Sequence, residues 1–169
     1  MHVRDATLED CAALADIQIN SYHSAYADLL PAEYLAVFSH EEQEQDWKDL
    51  IEEKRDLLLV AENEEGYLLG YALAKRLPDG AECELVALHV RRECHGQGAG
   101  RALVSAVARR MQALGCRSLM LTVMEGNPAV QFYEHLGGQR CGEKYFEIEA
   151  FNFRHKELAY CWEKIEDLF

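Results

Sequence analysis

The residues whose type and spacing most clearly indicate a chemical role are three glycines spaced two positions apart. Gly96, Gly98 and Gly100 lie between a predicted β-strand ending near Val90 and a predicted amphipathic helix beginning near Gly98. A strand that runs through a glycine turn into a helix leaves backbone N–H groups unpaired at the positive end of the helix dipole, where a phosphate can bind. Glycine turns also serve as plain strand-to-helix connections, so both interpretations stay open at this point.

A second group of polar and aromatic residues begins 25 positions after Gly100, in the segment 125–137. Asn127 precedes a predicted short helix, 128–136, that carries Tyr133. A phenol with a pKa near 10 keeps its proton at neutral pH and can give it to a departing anion. The spacing alone equally fits a core aromatic residue.

The predicted elements around these residues form a strand–helix–strand unit. The runs Glu84–Val90 and Leu119–Val123 predict two strands, which should be parallel neighbours because a helix connects them. The helix has one apolar stripe, made of Leu103, Val104, Val107, Met111 and Leu114. Two earlier strand-like runs, 57–61 and 67–75, are joined by a hairpin turn and predict an antiparallel meander leading into the glycine segment.

Helices and closing strands are predicted on either side of this unit. The capping patterns at Thr7–Asp10 and Ser39–Glu42 predict helices reaching about Tyr26 and Lys54. Two closing strands are predicted at 144–148 and 158–162. We therefore predict an α/β domain of the α+β type over residues 1–169, with helices flanking a mixed, mostly antiparallel sheet. Its one parallel strand pair should be splayed open at the ligand site.

Composition excludes several classes of function. The 169 residues carry a formal charge of −13, which disfavours nucleic acid and anionic membrane surfaces as partners. The acidic run at 41–53 favours a solvated helix face over a site for a cationic substrate. Without an apolar leader or an eighteen-residue apolar run, we expect a cytoplasmic protein. The six cysteines have no zinc or disulfide spacing, so we predict reduced, mostly buried thiols and no metal site.

Together, these motifs resemble the GNAT superfamily of acetyl-CoA-dependent N-acetyltransferases. Leu88-His89-Val90 followed by Gly96-Gln97-Gly98-Ala99-Gly100-Arg101 is similar to the family's cofactor strand and pyrophosphate loop. The segment 125–137, EGNPAVQFYEHLG, is similar to its second signature. The resemblance implies acetyl-CoA as co-substrate and a primary amine of a small molecule or peptide as acceptor. The acceptor itself is not readable from the sequence. Tyr22, His23 and Tyr26 of the first predicted helix are candidates for lining its pocket, although core packing is favoured for at least two of them.

The resemblance also implies roles for individual residues. The backbone of Leu88 and Val90 would bond the pantetheine arm, and the amides of the glycine segment would hold the pyrophosphate. Asn127 would hold the pantetheine or the acceptor side, and Tyr133 would return a proton to the CoA thiolate. The chain departs from the family pattern at His95, where arginine or glutamine is common, and in the six-residue step from Asn127 to Tyr133, where seven is common.

Acetyl transfer to an amine also requires a base. An amine with a pKa near 10.4 is less than about one part in a thousand unprotonated at pH 7, and a carboxylate acting through water can remove the proton. Glu84 is the candidate because it shares the strand alternation of Val90 unless a bulge intervenes, and Glu82 is the alternative. An exposed glutamate at a strand end explains Glu84 equally well.

Two other functions are compatible with parts of the sequence. A non-catalytic acyl-CoA sensor would keep the phosphate loop without turnover. A nucleotide-binding domain is disfavoured because Arg101 stands where the G-x-G-x-x-G pattern needs glycine. The aromatic residues of the last 25 positions either close the sheet or form a homodimer interface, and the sequence leaves both possibilities open.

Overall fold

The β-rich segments assemble into one seven-stranded sheet in the computed structural model, which describes residues 1–169. The strand order across the sheet is β1-β2-β3-β4-β5-β7-β6. The strands are β1 (His2–Asp5), β2 (Leu57–Glu62), β3 (Leu68–Arg76), β4 (Glu82–Val90), β5 (Ser118–Met124), β6 (Gln139–Ile148) and β7 (Phe153–Trp162). The helices are α1 (Cys11–Ala25), α2 (Ala32–Leu35), α3 (His40–Glu53), α4 (Ala99–Ala113) and α5 (Ala129–His135).

Neighbouring strands run antiparallel except for β4 and β5, which are parallel. This pair is in register only over Glu82–Glu84 on β4, opposite Ser118–Met120 on β5. The two strands separate after Glu84, although each continues for several more residues. The prediction of a mixed sheet with one splayed parallel pair is therefore confirmed.

A β-bulge at Val86 accompanies the separation of β4 from β5. On the β3 side, Leu73 pairs with Ala87 and Ala74 pairs with Leu85, which leaves Val86 as the extra residue. A bulge bends its strand and reverses the faces to which the following side chains point. The side chain of Glu84 therefore lies on the opposite face from that of Val90, contrary to the alternation expected without a bulge.

Helices cover the two faces of the sheet unequally. Helix α4 packs across β2, β3 and β4 through the predicted apolar stripe, in which Leu103 and Val107 are fully buried. Helices α1 and α3 pack on the other face against a smaller core around Tyr71. Leu114, predicted as part of the stripe, is instead 54% exposed because the helix ends at Ala113.

The helix starts follow the predicted capping chemistry. The Ser39 hydroxyl accepts a hydrogen bond from the Glu42 N–H at 3.2 Å, and α3 begins at His40. Asp10 accepts the Thr7 N–H at 2.8 Å across a short 3-10 turn that leads into α1. None of the helices is both long and apolar enough to cross a membrane.

The C-terminal strands are longer than predicted, and they close the sheet. The predicted strand 144–148 begins instead at Gln139, and the predicted strand 158–162 begins at Phe153. Trp162 is buried, and its indole N–H donates to the Leu136 carbonyl oxygen at 2.8 Å. The aromatic residues of the last 25 positions thus contribute to the core of this sheet, while homodimer formation stays a prediction.

The expectation that no disulfide forms was wrong for one pair of cysteines. Cys141 and Cys161 form a disulfide between β6 and β7, with Cα atoms 6.0 Å apart. Their separation of 20 residues gives no spacing signal, because the hairpin that brings the two strands together was predicted too short. The other four cysteines, Cys11, Cys83, Cys94 and Cys116, are free and buried as predicted.

Candidate functional site

The separation of β4 and β5 opens a cleft of about 990 Å³. One side is formed by residues 85–90 of β4 and the other by residues 122–124 of β5. The glycine segment and α5 close one end, and the C-terminal part of α1 lines the other. The cleft therefore joins the two groups of residues that the sequence identified as chemically distinctive.

The glycine segment presents unpaired backbone donors to the cleft. Gly98 precedes α4 with φ 86° and ψ 0°, a left-handed conformation that favours glycine. The first bond of α4 runs from the Ala102 N–H to the Gly98 carbonyl oxygen at 3.0 Å. The N–H groups of the three residues between them, 99–101, are therefore the orphan donors of the helix start.

Space and charge at this end of the cleft suit an anion. A Cβ atom added to Gly96 or Gly98 would meet no atom within 4 Å, so the backbone there is open to a ligand. Arg92, His95 and Arg101 also line this end. The side chain of Gln97 turns away and donates from Nε2 to the Glu93 carbonyl oxygen at 3.2 Å.

The backbone of Leu88 and Val90 faces the open side of β4. The Arg91 N–H donates to the Leu69 carbonyl oxygen at 2.8 Å, so odd-numbered residues at this end of β4 bond to β3. Because backbone groups alternate along an antiparallel ladder, those of Leu88 and Val90 point towards the cleft, whereas those of His89 point to β3. The Val90 carbonyl oxygen lies 2.9 Å from His95 Nε2, which donates to it in the Nε2–H tautomer.

Helix α5 is held close to the glycine segment. A Cβ atom added to Gly100 would lie 3.2 Å from Phe132 Cζ, so a larger residue there would push the ring back by a few tenths of an ångström. At the start of α5, Asn127 Oδ1 accepts the Ala129 N–H at 2.9 Å, and the side chain of Asn127 is buried. Asn127 thus has a structural contact of its own while lining the cleft.

Tyr133 lies on α5, with only 7% of the residue exposed. Burial, with a smaller contribution from Tyr26, raises the pKa of Tyr133 well above its usual value. The phenol therefore keeps its proton across the neutral range. Tyr133 lines the cleft, and its ring packs on that of Phe132, which lies close to Gly100 of the glycine segment.

Neither of the two candidate carboxylates lines the cleft, and both lie in the part of β4 that still pairs with β5. Glu84 is the last β4 residue in register with β5 and directly precedes Leu85, the first cleft-lining residue of the strand. Its Oε2 lies 3.3 Å from Lys75 Nζ, and its side chain is 23% exposed. Glu82 lies further into the closed part of the pair and accepts a 3.4 Å hydrogen bond from the Ser118 hydroxyl.

His89 projects into an aromatic environment on the α1 face of the sheet. Its ring centroid lies 5.3 Å from that of Tyr71 and 5.9 Å from that of Tyr22. Burial lowers the pKa of His89 to about 4. The imidazole is therefore neutral at pH 7 and adds no positive charge to the cleft.

The structure adds cleft residues that the sequence did not identify. Tyr34 of α2, Phe146 of β6 and Glu157 of β7 line its far end. Of the three α1 residues predicted for an acceptor pocket, Tyr22 and Tyr26 lie there with them, whereas His23 does not line the cleft. Nothing in the local sequence distinguishes Glu157 from the other glutamates that lie on strands. Its position follows from the pairing of β7 with the end of β5, where it lies opposite Met124.

Comparisons with known proteins agree with this geometry. The family model described as "Acetyltransferase (GNAT) family" matches residues 22–138. The uncharacterized N-acetyltransferase YuaI of Bacillus subtilis (strain 168) is 32% identical over 171 residues, covering 98% of this chain and 95% of YuaI.

Solved structures share the fold over nearly the whole chain. The ribosomal-protein-alanine N-acetyltransferase from Brucella melitensis superposes with a TM-score of 0.74 at 24% identity, covering 96% of this chain and 99% of the other. The PaiA N-acetyltransferase from Thermoplasma acidophilum, solved in complex with coenzyme A, gives a TM-score of 0.70 at 18% identity, with coverages of 95% and 98%.

Substitution of Gly98 tests the glycine segment as the phosphate site. Coenzyme A at a hundred times its Kd should add about 2.7 kcal/mol to the free energy of unfolding, a rise in Tm of roughly 5–10 °C. Gly98→Val should abolish this rise, because the branched side chain would fill the open space beside the α4 donors. Thermal unfolding with and without coenzyme A measures the difference.

Gly115→Val is the matched control for backbone strain. Gly115 has φ +96° and open space around a Cβ atom, like Gly98, but it lies at the opposite end of α4. The control should be destabilised like Gly98→Val and yet keep its full response to coenzyme A. An equal response in the two variants would contradict the assignment of the phosphate site.

Proposed function

The chain belongs to the GNAT acetyltransferase family, and we propose that it moves the acetyl group of acetyl-CoA directly onto a primary amine of a small molecule or peptide, within a ternary complex. As a member of this family it is an acetyl-CoA-dependent acyltransferase. The observation that carries the proposal is the open backbone edge of β4 beside the unpaired donors of α4. That edge suits an elongated amide with phosphates at one end.

We assign the binding of acetyl-CoA to three parts of the cleft. The backbone groups of Leu88 and Val90 would pair with the amides of the pantetheine arm. The amides of the glycine segment would hold the pyrophosphate, with Arg101 adding positive charge. Asn127, on the opposite wall, would contact the pantetheine or the acceptor.

The reaction requires an unprotonated amine and a protonated leaving group. The amine nitrogen attacks the thioester carbonyl carbon, the C–N bond forms, and the C–S bond breaks to release the CoA thiolate. The Val90 N–H would donate to the oxyanion that develops on the carbonyl oxygen. Tyr133 would then protonate the thiolate, and the proton that the acetylated nitrogen loses would restore the phenol. This role is supported by the location of Tyr133 in the cleft and by the proton that it keeps at neutral pH.

Glu84 is the proposed base, acting on the amine through a water molecule. The bulge at Val86 supports this role, because it turns the Glu84 side chain to the α1 face, where the acceptor half of the cleft lies. Because Glu84 directly precedes the cleft-lining part of β4 and does not line the cleft itself, it suits a relay through water better than direct contact with the amine. Removing the amine proton costs about 4 to 5 kcal/mol near pH 7, which the base must offset.

The function is tested by acetyl-CoA-dependent release of free thiol over a panel of primary amines. An acetyltransferase releases thiol in proportion to acetylated amine. A non-catalytic acyl-CoA sensor would show the coenzyme A melting shift without thiol release for any amine. Acetylated product identified by mass spectrometry completes the test.

Tyr133→Phe separates proton donation from packing. We expect wild-type affinity for acetyl-CoA and turnover lowered about a hundredfold, since general acids contribute at least that much. Tyr160→Phe is the control, because its hydroxyl bonds Glu134 at 2.8 Å outside the cleft. Equal turnover for Tyr133→Phe and the wild type would assign Tyr133 to packing alone.

Glu84→Gln tests the base through the pH dependence of turnover. The variant should be slow near pH 7 and recover towards alkaline pH, since each unit below the amine pKa removes about tenfold of the free amine. Glu82→Gln, within the closed part of the strand pair, should keep the wild-type profile. A defect in Glu84→Gln that does not change with pH would show a structural role instead.

A further inference from the structure

Charge is distributed unequally between the two halves of the cleft. The half beside the glycine segment has Arg92, His95 and Arg101 among its lining residues. The half beside α1 has one carboxylate, Glu157, and no lysine or arginine. An anionic ligand therefore suits the first half, and a cationic ligand suits the second.

Glu157 is available to a ligand. Its side chain is 17% exposed, and its ion-pair partner, Lys144, lies 3.6 Å away with 61% of its own side chain in solvent. Exposed pairs of this kind contribute little to stability, so an ammonium group entering the cleft can take over the carboxylate. Glu157 is also near Tyr26, since its charge helps burial raise the pKa of that phenol to about 12.

The half of the cleft that contains Glu157 is also lined by aromatic residues that pack on one another. Tyr22 meets Tyr26 edge to face at a centroid distance of 5.5 Å and Phe38 at 5.1 Å. Tyr34 packs in the same way on Phe38 at 5.2 Å and on Phe151 at 5.8 Å. We call these five residues the aromatic wall; Tyr22, Tyr26 and Tyr34 line the cleft, and Phe38 and Phe151 support them. Rings held in this way offer a surface for an aromatic or aliphatic body and for a cation above a ring face.

We propose that the acceptor is an arylalkyl primary amine without a carboxylate beside the amine, which lies against the aromatic wall with its ammonium group drawn in by Glu157. This rests on the proposed function and narrows its substrate class. A free α-amino acid would bring a second carboxylate beside Glu157, in the half of the cleft that no arginine or lysine lines. Lys144, which is largely in solvent and does not line the cleft, would compensate that second charge only weakly. The like-charge contact would disfavour its binding.

Matched acceptors test the proposal on the wild-type protein. Phenethylamine, phenylalanine and phenylalaninamide share one ring but differ in the group beside the amine. We expect kcat/KM for phenethylamine to exceed that for phenylalanine by about a hundredfold. Phenylalaninamide, which has the bulk but lacks the charge, should fall within about tenfold of phenethylamine.

Glu157→Gln tests the residue, and its effect should appear in KM. We expect KM for phenethylamine to rise about tenfold or more with a smaller change in kcat, and the preference over phenylalanine to shrink. Glu143→Gln is the control, because Glu143 pairs with Arg140 at 2.8 Å on the same hairpin and does not line the cleft. If the two variants differ in melting temperature, the comparison of the three acceptors on the wild-type protein decides whether the proposal holds.

The outcomes separate this inference from the proposed function. Thiol release with no amine of the whole panel would overturn the proposed function itself. Release with phenylalanine as efficient as with phenethylamine, or an unchanged KM in a folded Glu157→Gln variant, would overturn the inference alone. A strong preference for phenylalaninamide over phenethylamine would also overturn it, and would indicate a peptide amino terminus as acceptor.

Discussion

The short parallel pairing of β4 with β5 is the contact on which the rest of the site depends. Three residue pairs hold the strands together, and the bulge at Val86 bends β4 where that pairing stops. If the ladder continued, the backbone groups of Leu88 and Val90 would be bonded to β5. The cleft therefore exists because the strong sheet interactions on both outer sides, β3 with β4 and β5 with β7, keep the separated strands ordered.

The two ends of the cleft acquire opposite chemistry from the elements that flank it. Helix α4 begins there with unpaired N–H groups and a partial positive charge, reinforced by Arg92 and Arg101. On the other side, α1 supplies tyrosines and β7 supplies Glu157. A ligand with an anionic end and a ligand with a cationic end would thus enter the cleft from different sides.

Local pattern was sufficient for the helices and for the glycine segment. The glycine spacing, the apolar stripe of α4 and the capping residues at Thr7 and Ser39 are each encoded within a few positions, so they were predicted. The half of the cleft beside α1 also depends on long-range pairing. Glu157 reaches the cleft through the register of β7 with β5, and the disulfide of Cys141 with Cys161 depends on the full length of the β6–β7 hairpin. Neither feature has a local signal, and the bulge that turns Glu84 has none either.

Amide hydrogen exchange at Leu88 and Val90 tests whether the edge of β4 is open and binds the cofactor. We expect rapid exchange at both amides in the free protein and strong slowing when acetyl-CoA is added. The His89 amide, which bonds to β3, should be protected in both states. Protection of Leu88 and Val90 before ligand is added, or unchanged exchange after it binds, would contradict the claim that this edge is the binding site.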